Sequence, residues 1–159
     1  MRIEGGFLAT GHIRLEVNGQ SVDVRSRMEL DASFNPVAFE CRSGDQVLSV
    51  ENLGQVAEIE YAVGGQRTPY DVKFPSGGMI INDNCFHHYM LVLYRLGEAG
   101  GTVPVFVPQQ MTLGALDVAR VSEGNYELRS KNIQLRATTD EEGRLLRLTL
   151  AESNVVVER

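Results

Sequence analysis

The sequence predicts a mainly β fold: a strongly curved antiparallel sheet, a half-barrel or roll, of about ten strands with one helix plugging its concave side. Three observations predict it. Apolar and polar residues alternate with a period of two in segment after segment. Turns rich in Gly, Asn and Asp separate those segments at a spacing of roughly 8 to 12 residues, as in sandwiches and barrels. One stretch, "INDNCFHHYMLVLYRLG" from Ile81 to Gly97, breaks the pattern with a polar cluster, two adjacent histidines and a nearly unbroken apolar run.

The elements follow in order. Ile13, Leu15 and Val17 alternate with polar residues, Asn18-Gly19 supplies the strongest short-range hairpin signal, and Val22 and Val24 resume the alternation. Met28 and Leu30 extend the returning strand, with a bend expected near Ser26. After the turn "DASFNP", Val37, Phe39 and Cys41 alternate again and a Ser-Gly-Asp turn follows. Val47 to Val50 and Val56 to Val63 are the next strands, the latter with Ile59, Tyr61 and Val63 on one face and Glu58 and Glu60 on the other. Gly64-Gly65 closes it. Tyr70, Val72 and Phe74 repeat the pattern until "PSGG" ends it, since Pro75 cannot donate to a ladder. Beyond the odd stretch, "TVPVFVP" reads as a strand at a sheet edge or one beginning after Pro104. Leu116 with Val118, Tyr126 with Leu128, Ile133 with Leu135, and Leu146 with Leu148 and Leu150 mark four more, turned by "SEGN" and "DEEG".

From Asp83 onward a helix is the better reading, with a buried strand through "YMLVLYRL" as the alternative. Asp83 or Asn84 can cap the first turn, Phe86, Met90 and Leu93 fall at helical spacing, and Gly97 can take the left-handed stop. Apolar residues nearly encircle this helix after His88, so it must be buried against something large, and a concave sheet is the available partner. The run from Tyr89 to Leu96 is therefore expected to fill a curved sheet.

Length and composition bound the function. A chain of 159 residues suits one domain, and its 43% hydrophobic and 23% charged content is ordinary for a folded protein. Fifteen basic against 21 acidic residues give a net charge of −6, with the basic residues scattered, which argues against nucleic acid as a partner. No segment approaches the ~20 apolar residues of a transmembrane helix. The start "MRIEGGFLATG" has no secretory core, and the chain stops just after a strand-like "VVV". We therefore expect a domain cut from a longer precursor, periplasmic or secreted in that case and cytoplasmic otherwise. Cys41 and Cys85 lie far apart without Cys-x-x-Cys spacing; two buried thiols are the commoner arrangement, and one disulfide is the alternative.

The histidines invite a catalytic or metal reading that the spacing does not favour. His87 and His88 point about 100° apart on a helix, and Asp83 with His87 lacks a third and fourth ligand nearby, so neither metal nor other cofactor is expected. Acid–base work by His87 or His88 beside Asp83 would need a nucleophile or oxyanion site, and the chain has no Gly-x-Ser-x-Gly, phosphate-binding glycine loop or His-Glu-x-x-His. "GGQ" at Gly64 to Gln66 is a hairpin turn, and "DEEG" is a solvated tip.

The order "GGFLATG", alternating strands, "IINDNCFHHYMLVLYRL", "VPVFVPQQ" and "YELRSKNIQLRATTDEEGRLLRLTLAESNVVVER" resembles the N-terminal β domain that precedes the catalytic domain of some bacterial α/β-hydrolases. It is also similar in layout to bacterial glycolipid-binding domains and to the half-barrels of lipoprotein carriers. The matching pieces are Asp83 to Leu96, Val105 to Gln109 and the hairpin "DEEGRLLRL", about the last half of the chain. The resemblance implies a sheet wrapped around a hydrophobic interior, a helix closing one side, and a downstream catalytic domain as partner. It carries over no catalytic residue, because a nucleophile elbow would lie beyond Arg159.

The expected function is a non-catalytic module that binds a hydrophobic or lipid-like ligand, as an accessory domain of a secreted hydrolase in one setting. Asn82, Asn84, His87 and His88 would hold the head group at the mouth, with Tyr89, Met90, Tyr94 and Phe106 beside the apolar space. Two alternatives stay open: a structural or dimerisation domain with a filled core, and a small β-barrel isomerase or cyclase using His87 or His88 as base.

Overall fold

A run whose apolar residues recur at every second position can bury one face as a strand and leave the other in water. A computed structural model of the protein describes residues 1–17, 20–52, 54–82, 85–131, 133–150 and 156–158. Among them are fourteen strands and one α-helix: β1 (Arg2–Ile3), β2 (Gly6–Val17), β3 (Gln20–Asp31), β4 (Pro36–Ser43), β5 (Gln46–Asn52), β6 (Val56–Val63), β7 (Gln66–Lys73), β8 (Met79–Ile80), α1 (His87–Leu96), β9 (Gly101–Val107), β10 (Thr112–Ser122), β11 (Asn125–Arg129), β12 (Gln134–Thr139), β13 (Leu145–Leu150) and β14 (Val156–Glu158). The fold is mainly β with one principal helix, and its strands divide into two seven-stranded sheets, β1 to β7 and a curled half-barrel of β8 to β14, each ordered as in the chain.

The first sheet is an antiparallel meander. Twelve residue pairs join β2 to β3, from Gly6 opposite Asp31 to Val17 opposite Gln20, without a break at Ser26; the register shift on β3 falls at Glu29/Leu30, against β4. The Asn18-Gly19 turn itself lies outside the described residues. Along β3, Val24, Met28 and Leu30 are buried as the alternation predicts, Val22 is half-buried and Ser26 joins the buried face, while Asp23, Arg25 and Arg27 face water. Arg25 with Asp23 and Arg27 with Glu29 pair along that outer face, where screening leaves each worth little. Gly64 and Gly65, both at positive φ, make the two-residue β6–β7 turn, a conformation that suits glycine far better than any residue with a Cβ.

The second sheet departs from pure hairpin geometry at one place. β8 pairs with β9 in parallel, Met79 opposite Val105 and Ile80 opposite Phe106. Parallel neighbours cannot be joined by a tight turn, and the chain crosses from one to the other through α1. The odd stretch is therefore a βαβ crossover. Because β8 reaches only Val105 and Phe106, Pro104 sits where it deprives no β8 contact of an amide, which reconciles a proline with a strand that starts at Gly101. A bulge between Thr138 and Thr139 places Leu145, not Leu146, toward the core, and Leu146 is exposed. Ile133 likewise lies outside β12 and is exposed.

Helix α1 begins at His87, with Phe86 as the flanking residue, and ends on Gly97, whose N–H donates to the Leu93 carbonyl. The predicted caps Asp83 and Asn84 lie outside the described residues. The buried stripe is also rotated from the expected one: His88, Leu91, Val92 and Leu93 are buried, whereas Phe86 and Met90 are half-buried. His88 sets its ring against Phe39 of β4 at 5.2 Å and His87 meets Ser26 of β3, so the start of α1 rests on the inner face of the first sheet. One apolar core joins Met28, Phe39, Val50 and Ile59 of that sheet to Val92 of the helix and Phe106, Leu128 and Leu148 of the other.

Candidate ligand-binding cleft

Alternation decides which side chains face inward, while the neighbouring sheet decides how far along each strand they are covered. Near the β6–β7 turn the cover runs out. Ile59 is buried, but Tyr61 on the same face and Tyr70 opposite Ile59 are exposed. They stand over a cleft of about 530 Å³ between the first sheet and the end of β9. Its buried wall is Val24, Cys41, Leu48, Ile59, Asn82 and Pro108, and Gln46, Gln109 and Met111 join the two tyrosines at the rim. None of the described residues lining it is an acid, a base or a histidine. Met111 holds a left-handed conformation, φ 51°, after the single 3₁₀ turn Pro108–Gln110, and backbone strain of this kind tends to gather where ligands are clamped.

The residues expected at one mouth are dispersed. Asn82, 1% exposed, lies on the cleft wall. His87, Met90 and Tyr94 line a separate groove of about 350 Å³ beside α1, walled by Phe7 and Phe34, whose rings stack at 4.4 Å. His88 and Phe106 are both 0% exposed, and neither lines the cleft nor that groove. Tyr89 is half-buried and packs against the core. Asn84 lies outside the described residues. Sequence reading missed Tyr61, Tyr70, Leu48 and Met111 as cleft residues; the available signal was the apolar face of Val56 to Val63 continuing to the very end of its strand.

The chemistry of the two histidines follows from burial. The Asn82 N–H donates to His88 Nδ1 at 3.1 Å, the ring also meets the Ile80 backbone, and Nε2 has no hydrogen-bond partner among the described residues. Burial holds the His88 pKa well below the ordinary histidine value, and the neighbouring His87 pushes the same way. Burial alone brings His87 down to about 4. Its Nε2 lies 3.3 Å from Ser26 Oγ, and its ring fits because Gly11, opposite Ser26, has no Cβ: one built there would overlap the imidazole. This neutral hydroxyl–imidazole contact has no orienting carboxylate among the described residues, and Ser26 is itself buried, so it serves packing better than nucleophilic attack.

Cys41 and Cys85 are both buried. Contact with the Cys85 thiol, reinforced by burial, pushes the Cys41 pKa up, and the Asn82 side-chain amide donates to Cys85 Sγ at 3.3 Å. No group of three or more ligating side chains suited to a metal ion occurs among the described residues.

With this geometry in hand, comparison adds one relationship of fold. The chain is similar in structure to a DUF1089 family protein from Pseudomonas aeruginosa, with a TM-score of 0.59 over 91% of this chain and 84% of that one. Sequence identity is 16%, so the likeness is one of architecture. No family model and no curated protein matches the sequence.

Proposed function

We propose that the protein is a non-catalytic module that binds an uncharged, lipid-like amphipathic molecule in the cleft between the first sheet and the end of β9. The observation that carries this reading is the uncovered inward face: Leu48 and Ile59 continue into Tyr61 and Tyr70, apolar side chains aimed at an interior that the protein's own residues do not fill there. A volume of about 530 Å³ falls in the range of small-molecule sites, and such sites join apolar walls to a few placed polar groups. Asn82 on the buried wall and Gln46 and Gln109 at the rim are those groups. The lack of charge in the lining supports a neutral head group, because a buried carboxylate would go unpaired.

Native mass spectrometry and displacement of the neutral dye N-phenyl-1-naphthylamine test the proposal. Displacement by a monoacylglycerol at tens of micromolar, weakened at least about tenfold in Tyr61→Asp, is the expected result. No retained lipid and no displacement would favour a structural domain with a filled core. Hydrolysis of esters that disappears in His87→Ala would instead favour an enzyme.

A further inference from the structure

At the end of the second sheet, beside the C-terminus of α1, lies a hollow of about 880 Å³ that shares no lining residue with the cleft above. Three pieces of chain meet there: the β10–β11 turn at Glu123 and Gly124, the β12–β13 turn from Asp140 to Arg144, and the end of α1 at Gly97. They are held close. The Thr139 N–H donates to the Gly124 carbonyl at 2.8 Å, and a Cβ added to Gly143 would stand 3.4 Å from the Tyr94 ring.

Two independent features point to a positively charged ligand. The rim carries five carboxylates, Glu98, Glu123, Asp140, Glu141 and Glu142, against the guanidinium groups of Arg120 and Arg144. Arg120 is matched by Glu98 at 2.6 Å, and Arg144 by Asp140 at 2.6 Å and Glu142 at 2.8 Å. Glu123 and Glu141 are left exposed and without an ion-pair partner among the described residues. The carbonyl end of α1 adds to the negative potential. The second feature lies inside. The alternation that buries Leu135 and Ala137 turns Thr139 to the same inner face, where it is 9% exposed and lines the hollow. Its hydroxyl has no hydrogen-bond partner among the described residues, and a polar group so deeply buried calls for one. Around it the floor is apolar, made by Leu93, Tyr94 and Tyr126.

We propose that this hollow binds a linear aliphatic polyamine, with ammonium groups on Glu123 and Glu141, an amine N–H donating to the Thr139 hydroxyl, and the methylene chain along Leu93, Tyr94 and Tyr126. Such a molecule alternates charge with short apolar runs, as this wall does. Its ammonium groups also gain cation–π attraction from the tyrosine rings. A metal ion would find no group of three or more suitable side chains among the described residues. The site is separate from the cleft and takes a ligand of the opposite character, so neither proposal depends on the other.

Equilibrium dialysis of the intact chain against radiolabelled spermidine tests the site. Binding in the tens of micromolar at low salt, weakening as salt is raised, is the expected result. Glu123→Gln with Glu141→Gln should weaken it at least about tenfold, whereas Glu51→Gln with Glu58→Gln, which removes equal charge from the first sheet, should leave it within about twofold. Thr139→Val should lose at least about threefold and Thr139→Ser should keep the wild-type affinity. Equal weakening by the two glutamate pairs, equally tight binding of Mg²⁺, or no retention of spermidine at millimolar concentration overturns the site. A tetralysine peptide that binds where spermidine does not overturns the polyamine in favour of a basic peptide. Unchanged affinity in Thr139→Val overturns the part given to the hydroxyl, and if that variant does not fold the glutamate pairs still decide the site.

Discussion

His88 does its work as a neutral ring. It accepts the Asn82 N–H through Nδ1, rests on Phe39 and is fully buried, so the backbone contact with Ile80 that would favour a charge is outweighed by desolvation. His87 beside it is also held neutral, with its pKa down at about 4. Unfolding releases both rings to values near 6.5, so below that pH the unfolded chain binds more protons than the folded one. Stability is thus complete above about pH 6.5 and falls on acidification toward pH 4, each histidine contributing up to about 1.4 kcal/mol per pH unit. Urea titrations at pH 7, 6 and 5 should show the midpoint falling progressively, and in His87→Phe the fall should be shallower. Gly11→Ala should destabilise by roughly 1 to 3 kcal/mol through overlap with the His87 ring, a cost that His87→Ala in the same chain should largely remove. The polar cluster was legible in the sequence as a unit, but its division was not, because about 100° of helix, one residue's rotation, separates a ring facing the core from one facing a groove.

Helix α1 was legible from Gly97 and its apolar run, yet its inward stripe came out rotated. Phe86 and Met90 look like core positions only if the helix packs on one partner, whereas as a βαβ crossover α1 is presented through His88, Leu91, Val92 and Leu93. The crossover itself was hidden because β8 is only two residues long, too short for any period to register. Leu93→Ala should cost roughly 2 to 5 kcal/mol and half-buried Met90→Ala distinctly less, a contrast that urea denaturation measures directly. Pairs such as Val22 and Val24, Phe39 and Cys41, or Leu116 and Val118 were read without knowing their partners, since alternation is local. Leu146 escaped that logic because one bulged residue reverses the faces of everything before it.

For the whole molecule, the mainly β architecture with one helix followed from alternation and turns, and the likeness to the DUF1089 family protein is of that same architecture. The cleft could not be read this way: Tyr61 carries the same pattern whether or not another sheet covers it. Its test belongs at this scale too. Met111→Gly should relieve the left-handed strain and raise stability slightly, by under about 1 kcal/mol, while weakening dye binding by removing a rim side chain. The ordering of both sheets along the chain also bears on how the protein forms. Strand neighbours follow one another in chain order, so apart from the β8–β9 crossover each sheet can zip through successive hairpins with little loop entropy to overcome, and only the meeting of the two halves is remote. That late meeting is governed by the segment from Met79 to Leu96, which belongs to the second half yet rests on the first through His88 and His87. In stopped-flow experiments, truncations in this segment should speed unfolding and leave refolding nearly unchanged, whereas truncations at Val24 or Leu128 should slow refolding. The two histidines would then mark the last stage of folding, at which two independently formed sheets become one protein.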